Sequence, residues 1–300
     1  MRTIHPRSRT LLAAGLLAGI ALSGSVTANA GTSSAPQARS GATCADPGTG
    51  RDSLKVIGLT DFQRLMCFDE NTPGQITNIG RISGLILDTR IVGIDHRPAS
   101  GDLYGLGEKG GVYVLSETDA SATLRSRLTV ALDGTQFDVD FNPTVDRLRI
   151  VSNMGQNLRA DVDLGMTTVD GPLNSAGPPP VNPVRGVGGA AYTNNDADVN
   201  TATTLFDIDG LQDQVVIQAP ANSGSLSATG KLGGDYTGNI GFDIYSTTRS
   251  GTTVDVEGYA TLRTAAGSGF FEVNLLTGRA DRVGMFTTNV VDIAIPLGQL

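Results

Sequence analysis

The chain has 300 residues, with 39 Gly, 13 Pro, no Trp and a formal net charge of −8. The acidic balance argues against nonspecific binding to nucleic acid or to an anionic membrane, and the glycines lack the strict period of collagen. With 39% hydrophobic residues the sequence can build a core, and its short apolar runs between glycines are typical of short strands joined by tight turns.

Residues 1–30 have the pattern of a secretory signal peptide. Three arginines lie within the first nine residues and precede an apolar run over residues 11–22, which is shorter than the roughly 20 residues that span a bilayer. An A-x-A cleavage pattern ends at Ala30. We therefore predict export of a mature chain with net charge −11, without a membrane span and with His96 as its single histidine. The alternative is an uncleaved anchor.

Residues 31–50 are small and polar, and we predict a flexible lead-in before a β-propeller domain over residues 51–300. Cys44 and Cys67 are 23 residues apart, and an oxidising exterior permits a disulfide between them. Such a bridge would attach the lead-in to the first strands. Two unpaired thiols are the alternative.

Two short elements recur along the chain. The first is an apolar strand that ends in a polar residue, at positions 69, 116, 161, 209 and 274. The second is centred on positions 95, 140, 191, 243 and 292, which are 45, 51, 52 and 49 residues apart, with a divergent copy at Ala191. Further strand-like runs lie between these elements, so each period holds about four strands. Such a period predicts a β-propeller blade.

The phase of the second element predicts how the ring closes. The first unit, with strands near residues 55–59, 65–69 and 75–79, lacks an opening copy, whereas a surplus copy lies at residues 290–295. We predict an all-β fold, a five-bladed β-propeller closed by a C-terminal strand that completes the first blade. A β-sandwich or a β-solenoid is the alternative. A solenoid would have shorter rungs, and a sandwich does not require two motifs in constant phase.

Several stretches resemble a known family. They are residues 93–107, 137–152, 155–159, 190–195 and 216–218, and the most specific are FNPTVDR at 141–147 and GQNLR at 155–159. Over about residues 54–296 the chain resembles the secreted bacterial family called domain of unknown function 4394. The resemblance implies a propeller-like fold and an extracellular compartment, and it supplies no catalytic residues. The chain departs from the pattern at His96-Arg97 and at residues 219–222.

The acids of the second element are the candidate catalytic residues: Asp95, Asp140, Asp243 and Asp292. In a propeller these strands line the central channel, where a pair of carboxylates could perform acid/base glycoside chemistry. Alternatively, each Asp accepts backbone N–H bonds and orders the blades. Repetition favours the structural role, because a catalytic pair needs two different environments.

A basic cluster in the third unit is the candidate ligand site. Arg147 and Arg149 share one face of a strand by alternation, and Asn157 and Arg159 follow closely. An arginine pair of this kind could hold a carboxylate or a phosphate. Structural ion pairs between blades are the alternative.

One acidic segment imitates the spacing of a calcium loop. Its candidate ligands are Asp196, Asp198, Asn200 and Asp207, but Thr201 stands where such a loop needs Gly. A solvated acidic loop is the alternative. We predict no cofactor beyond this calcium hypothesis.

Other chemistry has little support in the sequence. A single mature histidine disfavours a histidine-rich zinc site, and the chain has neither a G-x-S-x-G elbow nor a phosphate-binding loop. We therefore predict a secreted, monomeric, noncatalytic binding module for an unidentified extracellular ligand or protein. The rival is a glycoside hydrolase or lyase that uses the channel Asp residues, and a calcium-stabilised scaffold is a third possibility.

Overall fold

A computed structural model describes Cys44 and residues 53–177, 179–194, 196, 200–250 and 252–299. The predicted signal peptide and, apart from Cys44, the predicted lead-in lie outside these residues. In the described part of the chain, twenty β-strands and the 3₁₀ helix Ala221–Ser223 form the secondary structure. No helix in this part has the length and apolar character needed to cross a bilayer.

The strands form five four-stranded antiparallel sheets, numbered here as blades 1 to 5, with their strands given from the inside outward. Blade 1 contains β20 (Val290–Ala294), β1 (Lys55–Thr60), β2 (Arg64–Asp69) and β3 (Thr77–Arg81). Blade 2 contains β4 (Ile91–His96), β5 (Leu103–Gly107), β6 (Gly111–Leu115) and β7 (Ala122–Arg127). Blade 3 contains β8 (Phe137–Asn142), β9 (Arg147–Ser152), β10 (Asn157–Ala160) and β11 (Thr167–Val169). Blade 4 contains β12 (Val187–Tyr192), β13 (Leu205–Asp209), β14 (Gln214–Gln218) and β15 (Leu226–Lys231). Blade 5 contains β16 (Gly241–Arg249), β17 (Thr252–Thr264), β18 (Gly267–Val273) and β19 (Ala280–Met285).

The inner strands β20, β4, β8, β12 and β16 contact one another in a closed ring, which confirms the predicted five-bladed propeller. Burial falls from the inside outward. Every residue of β12 is buried, whereas β3 and β11 have no fully buried residue. The inner strands therefore consist mainly of small or apolar residues, with buried acids among them, and the outer strands carry the polar surface.

The five copies of the first sequence element do not all occupy the same strand of their blade. Four copies lie on the third strand of their blade, at β2, β6, β10 and β18. The copy at residues 205–209 is instead β13, the second strand of blade 4, and β14 is the third strand. Both strands are apolar runs that end in polar residues, so the sequence pattern does not separate them.

Each junction between neighbouring blades contains one apolar cluster. The largest in the described residues joins blades 4 and 5 through side chains such as Phe206, Ile208, Phe242 and Phe271. The smallest joins blades 3 and 4. Apolar packing is thus thinnest at the junction that also holds the predicted basic cluster.

Glycine allows the inner strands to approach closely. A Cβ on Gly189 of β12 would lie 2.8 Å from the Cβ of Phe242 on β16, and a Cβ on Gly241 would overlap the backbone of Asp292 on β20. A ring of only five blades brings its inner strands close together, and these positions have no room for a side chain.

The ring closes through blade 1, as predicted. Strand β20 pairs with β1, with Ile57 opposite Ala294 and Leu59 opposite Asp292. Beyond β20, the Gln299 side chain accepts from the Lys55 N–H at 2.8 Å and donates to the Lys55 carbonyl at 3.0 Å. A sheet edge that would otherwise be open is therefore paired.

A disulfide joins Cys44 to Cys67 on β2, with their Cα atoms 6.1 Å apart. It closes a 23-residue separation and attaches the segment before the propeller to blade 1.

Candidate functional site

The predicted channel carboxylates all lie on inner strands and are buried. Asp95 is on β4, Asp140 on β8, Asp243 on β16 and Asp292 on β20, and each side chain faces the ring of neighbouring inner strands. Strand β8 carries one more buried carboxylate, Asp138.

Four of these carboxylates share one arrangement. One oxygen accepts the N–H of the next residue in the same strand, and the other accepts an N–H from the inner strand of the neighbouring blade. The bonds between blades run from Ile94 N–H to Asp292 (2.7 Å), from Phe141 N–H to Asp95 (2.7 Å), from Ala190 N–H to Asp138 (2.8 Å) and from Ile295 N–H to Asp243 (2.6 Å). Charge-assisted bonds of this kind are stronger than neutral ones. They link blades 1 and 2, 2 and 3, 3 and 4, and 5 and 1.

The junction of blades 4 and 5 follows a different design. Strand β12 has the sequence VGGAAY and no acidic residue, so it cannot supply the equivalent bond. This junction contains the largest apolar cluster of the described residues instead. The divergent copy of the sequence repeat is therefore the blade that relies on apolar packing.

Asp140 differs from the other four carboxylates. Its Oδ1 is buried and has no hydrogen-bond partner among the described residues. One oxygen each from Asp95, Asp140 and Asp243 lie within 4.8 Å of one another. The three residues are only 6%, 2% and 3% exposed.

Burial controls the protonation of this group. Desolvation, followed by the charge of Asp243, raises the pKa of Asp95 well above its usual range, and desolvation followed by the charge of Asp95 does the same for Asp140. Desolvation raises the pKa of Asp243 to about 6, although the N–H groups of Ile295 and Ile244 oppose the shift. The carboxyls therefore favour protonation unless a cation compensates their charge.

The predicted basic cluster meets at the junction of blades 3 and 4. Arg149 is 2% exposed and crosses this junction. Its guanidinium donates to four side chains, which are Asp170 (2.7 Å), Asn157 (2.7 Å), Asn222 (2.8 Å) and the Tyr192 hydroxyl (3.2 Å). These partners lie between 8 and 73 residues away in the chain. Arg149 thus fixes three distant segments around one guanidinium.

The other two arginines are more open. The Nε of Arg159 donates to Asp170 at 2.7 Å, while its Nη1 and Nη2 have no hydrogen-bond partner within the described residues. Arg147 is 42% exposed and pairs with Asp161 at 3.2 Å. Asp170 therefore shares its charge between Arg149 and Arg159, so an excess of positive charge is left at this surface.

A cavity of about 490 Å³ opens beside these arginines. Its lining consists of Asn142, Val145, Arg147, Arg149, Arg159, Tyr192, Pro220, Ala221 and Asn222. The floor is held by the buried Arg149 network, and the 3₁₀ helix after β14 forms one wall. Its volume is in the range of small-molecule sites, and its lining is more polar than is usual for them.

The structure describes three of the four predicted calcium-loop residues, Asp196, Asn200 and Asp207. Asp196 accepts from the Thr253 hydroxyl at 3.4 Å, and Asp198 lies outside the described residues. Asp207 is on β13 inside blade 4, fully buried, and both of its carboxylate oxygens are without a hydrogen-bond partner in the described part of the chain. Burial raises the pKa of Asp207 well above its usual range, and the charge of Arg149 opposes this. A calcium site at Asp196, Asp198, Asn200 and Asp207 stays a prediction.

Comparison with protein families identifies the chain. The family model described as "Domain of unknown function (DUF4394)" matches residues 64–294. The chain belongs to this family. Among curated proteins, none matches the DUF4394 chain significantly.

Several solved structures similar to the DUF4394 chain come from Bacteroides. A protein of unknown function from Bacteroides thetaiotaomicron VPI-5482 has a TM-score of 0.48 at 10% identity, covering 73% of this chain and 56% of its own. An auxiliary nutrient binding protein from the same organism has a TM-score of 0.43 at 11% identity, covering 75% and 56%. A putative 6-phosphogluconolactonase from Bacteroides fragilis NCTC 9343 has a TM-score of 0.38 at 12% identity, covering 80% and 83%. The chain spans about half the length of the first two.

Some site residues of the DUF4394 chain are absent from the sequence prediction. Asp138 links blade 3 to blade 4 through the Ala190 N–H, and the sequence prediction named only Asp140, two positions away on the same strand. Tyr192, Asn222 and Asp170 complete the arginine site. They come from other segments of the chain, so the spacing around Arg149 did not indicate them.

Proposed function

We propose that this DUF4394 protein is an exported, noncatalytic binding module. Its ligand would occupy the cavity lined by Arg147, Arg149 and Arg159 at the junction of blades 3 and 4. The ligand class that fits this lining is a small polar molecule carrying a carboxylate. The observation that carries the proposal is the pairing of a fixed guanidinium floor with the open guanidinium edge of Arg159.

The chemistry of the lining supports this ligand class. A guanidinium presents parallel N–H donors that match a carboxylate, and those of Arg159 Nη1 and Nη2 have no partner in the described residues. The Asn222 amide accepts from Arg149 through Oδ1, which leaves its NH₂ group as a further donor. Apolar atoms of Val145, Pro220 and Ala221 would cover the remainder of the ligand.

The surroundings of the channel carboxylates support a noncatalytic role. The mutual spacing of Asp95, Asp140 and Asp243 is close to that of a retaining glycosidase pair. However, these side chains are at most 6% exposed, and a sugar ring cannot reach them without opening the ring of inner strands. Four channel carboxylates are also engaged by backbone N–H groups of a neighbouring blade.

Two features support export. The basic start, apolar run and A-x-A pattern of residues 1–30 match a signal peptide. The disulfide between Cys44 and Cys67 is a bond that persists in oxidising compartments.

The test is calorimetric titration of the protein with hexuronates and small dicarboxylates, together with the neutral hexoses as matched ligands. We expect saturable binding of carboxylates only. Arg159→Met should weaken it at least tenfold, because it removes the open N–H pair while Arg149 keeps its own hydrogen bonds to Asp170, Asn157 and Asn222. Arg279→Met is the control, since Arg279 is 71% exposed on blade 5 and pairs only with Asp281 within the described residues.

Two results would overturn the proposal. One is equal affinity in the Arg159→Met and Arg279→Met variants. The other is turnover in a polysaccharide and glycoside hydrolysis screen that disappears in Asp140→Asn, which would favour the hydrolase or lyase.

A further inference from the structure

A second cluster of buried ionisable side chains lies in the centre of the ring, and it consists of carboxylates. It consists of Asp95, Asp140 and Asp243, which come from blades 2, 3 and 5. This group is separate from the arginine cavity, whose lining contains no acidic residue.

Proximity alone does not make an ion site, and the decisive observation is the state of Asp140. In Asp95 and Asp243, both carboxylate oxygens accept a backbone N–H. Asp140 is 2% exposed, yet its Oδ1 accepts no hydrogen bond from any described residue. An unsatisfied buried carboxylate oxygen costs considerable free energy, so such groups are normally paired or coordinate a metal.

The charge of the neighbourhood points the same way. Asp138 and Asp292 are two further buried carboxylates close to the group, and their charges also disfavour ionisation of its members. His96 lies beside Asp95, and its charge favours the ionised form of Asp243, although its Nε2 faces Glu117 at 3.1 Å. The dominant charge around the three oxygens is therefore negative.

We propose that Asp95, Asp140 and Asp243 together bind one calcium ion where the inner strands of blades 2, 3 and 5 meet. Each carboxylate would contribute one oxygen, and Oδ1 would be the ligand from Asp140. The remaining positions would be filled by water or by backbone carbonyls.

The spacing of the oxygens and the burial of the group favour calcium. Calcium takes about six to eight oxygen ligands in a flexible geometry, and two oxygens on opposite sides of the ion lie about 4.6 to 5.2 Å apart. The three oxygens lie within 4.8 Å of one another, which is the scale of one calcium shell. Magnesium demands a near-ideal octahedron and usually keeps several of its waters, so a buried site of three protein carboxylates suits it less well.

Such an ion would act as a structural centre. It would connect blades 2, 3 and 5 through one point, and its two positive charges would compensate carboxylates that otherwise hold protons. Because the group is buried, the ion would enter as the ring closes and would leave only as the ring opens.

The test uses the whole exported chain, unfolded in guanidinium with EDTA and then refolded with calcium, with magnesium or without metal. We expect about one calcium per chain by elemental analysis after desalting. If calcium at 1 mM exceeds its dissociation constant about a hundredfold, the melting temperature should rise by about 5 to 10 °C.

Variants assign the effect to this group. Asp140→Asn keeps the shape of the side chain and should abolish both calcium uptake and the rise in melting temperature. Asp138→Asn, two residues away on β8 and outside the group of three, is the matched control and should retain both.

Three outcomes overturn the proposal. One is a wild-type chain that takes up no calcium and melts at the same temperature in calcium and in EDTA, which would mean that the carboxyls hold protons and no ion. Calcium uptake that survives in Asp140→Asn would place the ion elsewhere, and an equal rise in magnesium would refute the assignment to calcium.

Discussion

Replacing Arg149 by Met should destabilise the protein strongly, because one buried guanidinium holds the junction of blades 3 and 4. Met retains much of the aliphatic volume but donates no hydrogen bond. The change leaves Asp170, whose side chain is 5% exposed, with Arg159 as its single cationic partner in the described residues. Asn222 loses a bond of 2.8 Å from Arg149, and Asn157 loses one of 2.7 Å.

The magnitude follows from the burial of the pair. Removing one partner of a buried ion pair costs about 3 to 5 kcal/mol, since the remaining charge stays desolvated. A domain of this size loses about 2 to 4 °C in melting temperature per kcal/mol. We therefore expect a decrease of about 6 to 20 °C. The small apolar cluster at this junction offers little reserve against the loss.

Arg147→Met is the matched control, because Arg147 lies two residues away on the same strand. It is 42% exposed and makes an ion pair of 3.2 Å with Asp161, so its loss should cost less than about 1 kcal/mol. Urea unfolding followed by circular dichroism at neutral pH measures both variants. Equal losses in the two variants, or a loss below about 1 kcal/mol for Arg149→Met, would refute the reasoning.

Two further predictions concern Asp207 and the disulfide. Burial raises the pKa of Asp207, so the folded protein holds a proton that the unfolded chain releases above about pH 3.9, and stability falls with rising pH until the folded-state pKa is passed. In this window the free energy of unfolding of the wild type should fall by up to about 1.4 kcal/mol per pH unit because of Asp207, and Asp207→Asn should remove this dependence. The difference in free energy of unfolding between the variant and the wild type should therefore grow in favour of the variant as the pH rises. Urea unfolding between pH 4.5 and 7.5 measures both proteins, and a constant difference across this range would contradict the prediction. Removing the Cys44–Cys67 bridge, which closes a 23-residue separation, should cost about 3 kcal/mol. The double Ser variant should melt at the temperature of the wild type in reductant, and a wild type insensitive to reductant would contradict the prediction.

The architecture could be predicted because the repeat is a property of local sequence. Three inner strands, β4, β16 and β20, combine small or apolar residues with one carboxylate, β8 carries two carboxylates and β12 none, and the element recurs at a similar spacing along the chain. The surplus copy at β20 indicated the closure of the ring for the same reason. The sequence pattern did not show which strand of blade 4 carries the first element, because β13 and β14 are both short apolar strands that end in a polar residue.

The contacts within the sites depend on how neighbouring strands are offset, and no sequence spacing encodes this offset. Asp138 and Asp140 lie on the same face of β8, but only the position of β12 decides that Asp138 meets the Ala190 N–H while Asp140 Oδ1 stays without a partner. Likewise, the segment containing Asn222 reaches Arg149 from 73 residues away. The sequence therefore indicated which residue types matter, and the ring geometry determined their partners.

The pairing of β20 with β1 has a consequence for the order of assembly. During synthesis, blade 1 lacks its inner strand until the strands of all the other blades have been made. The other four blades can therefore form before blade 1 is complete. Closing the ring then joins segments more than 230 residues apart, which makes it the contact with the largest loop-closure entropy in the fold. Loss of a few residues around β20 would accordingly open the ring. Pairing of this strand with β1 is therefore the step that couples the folding of the first blade to that of the last.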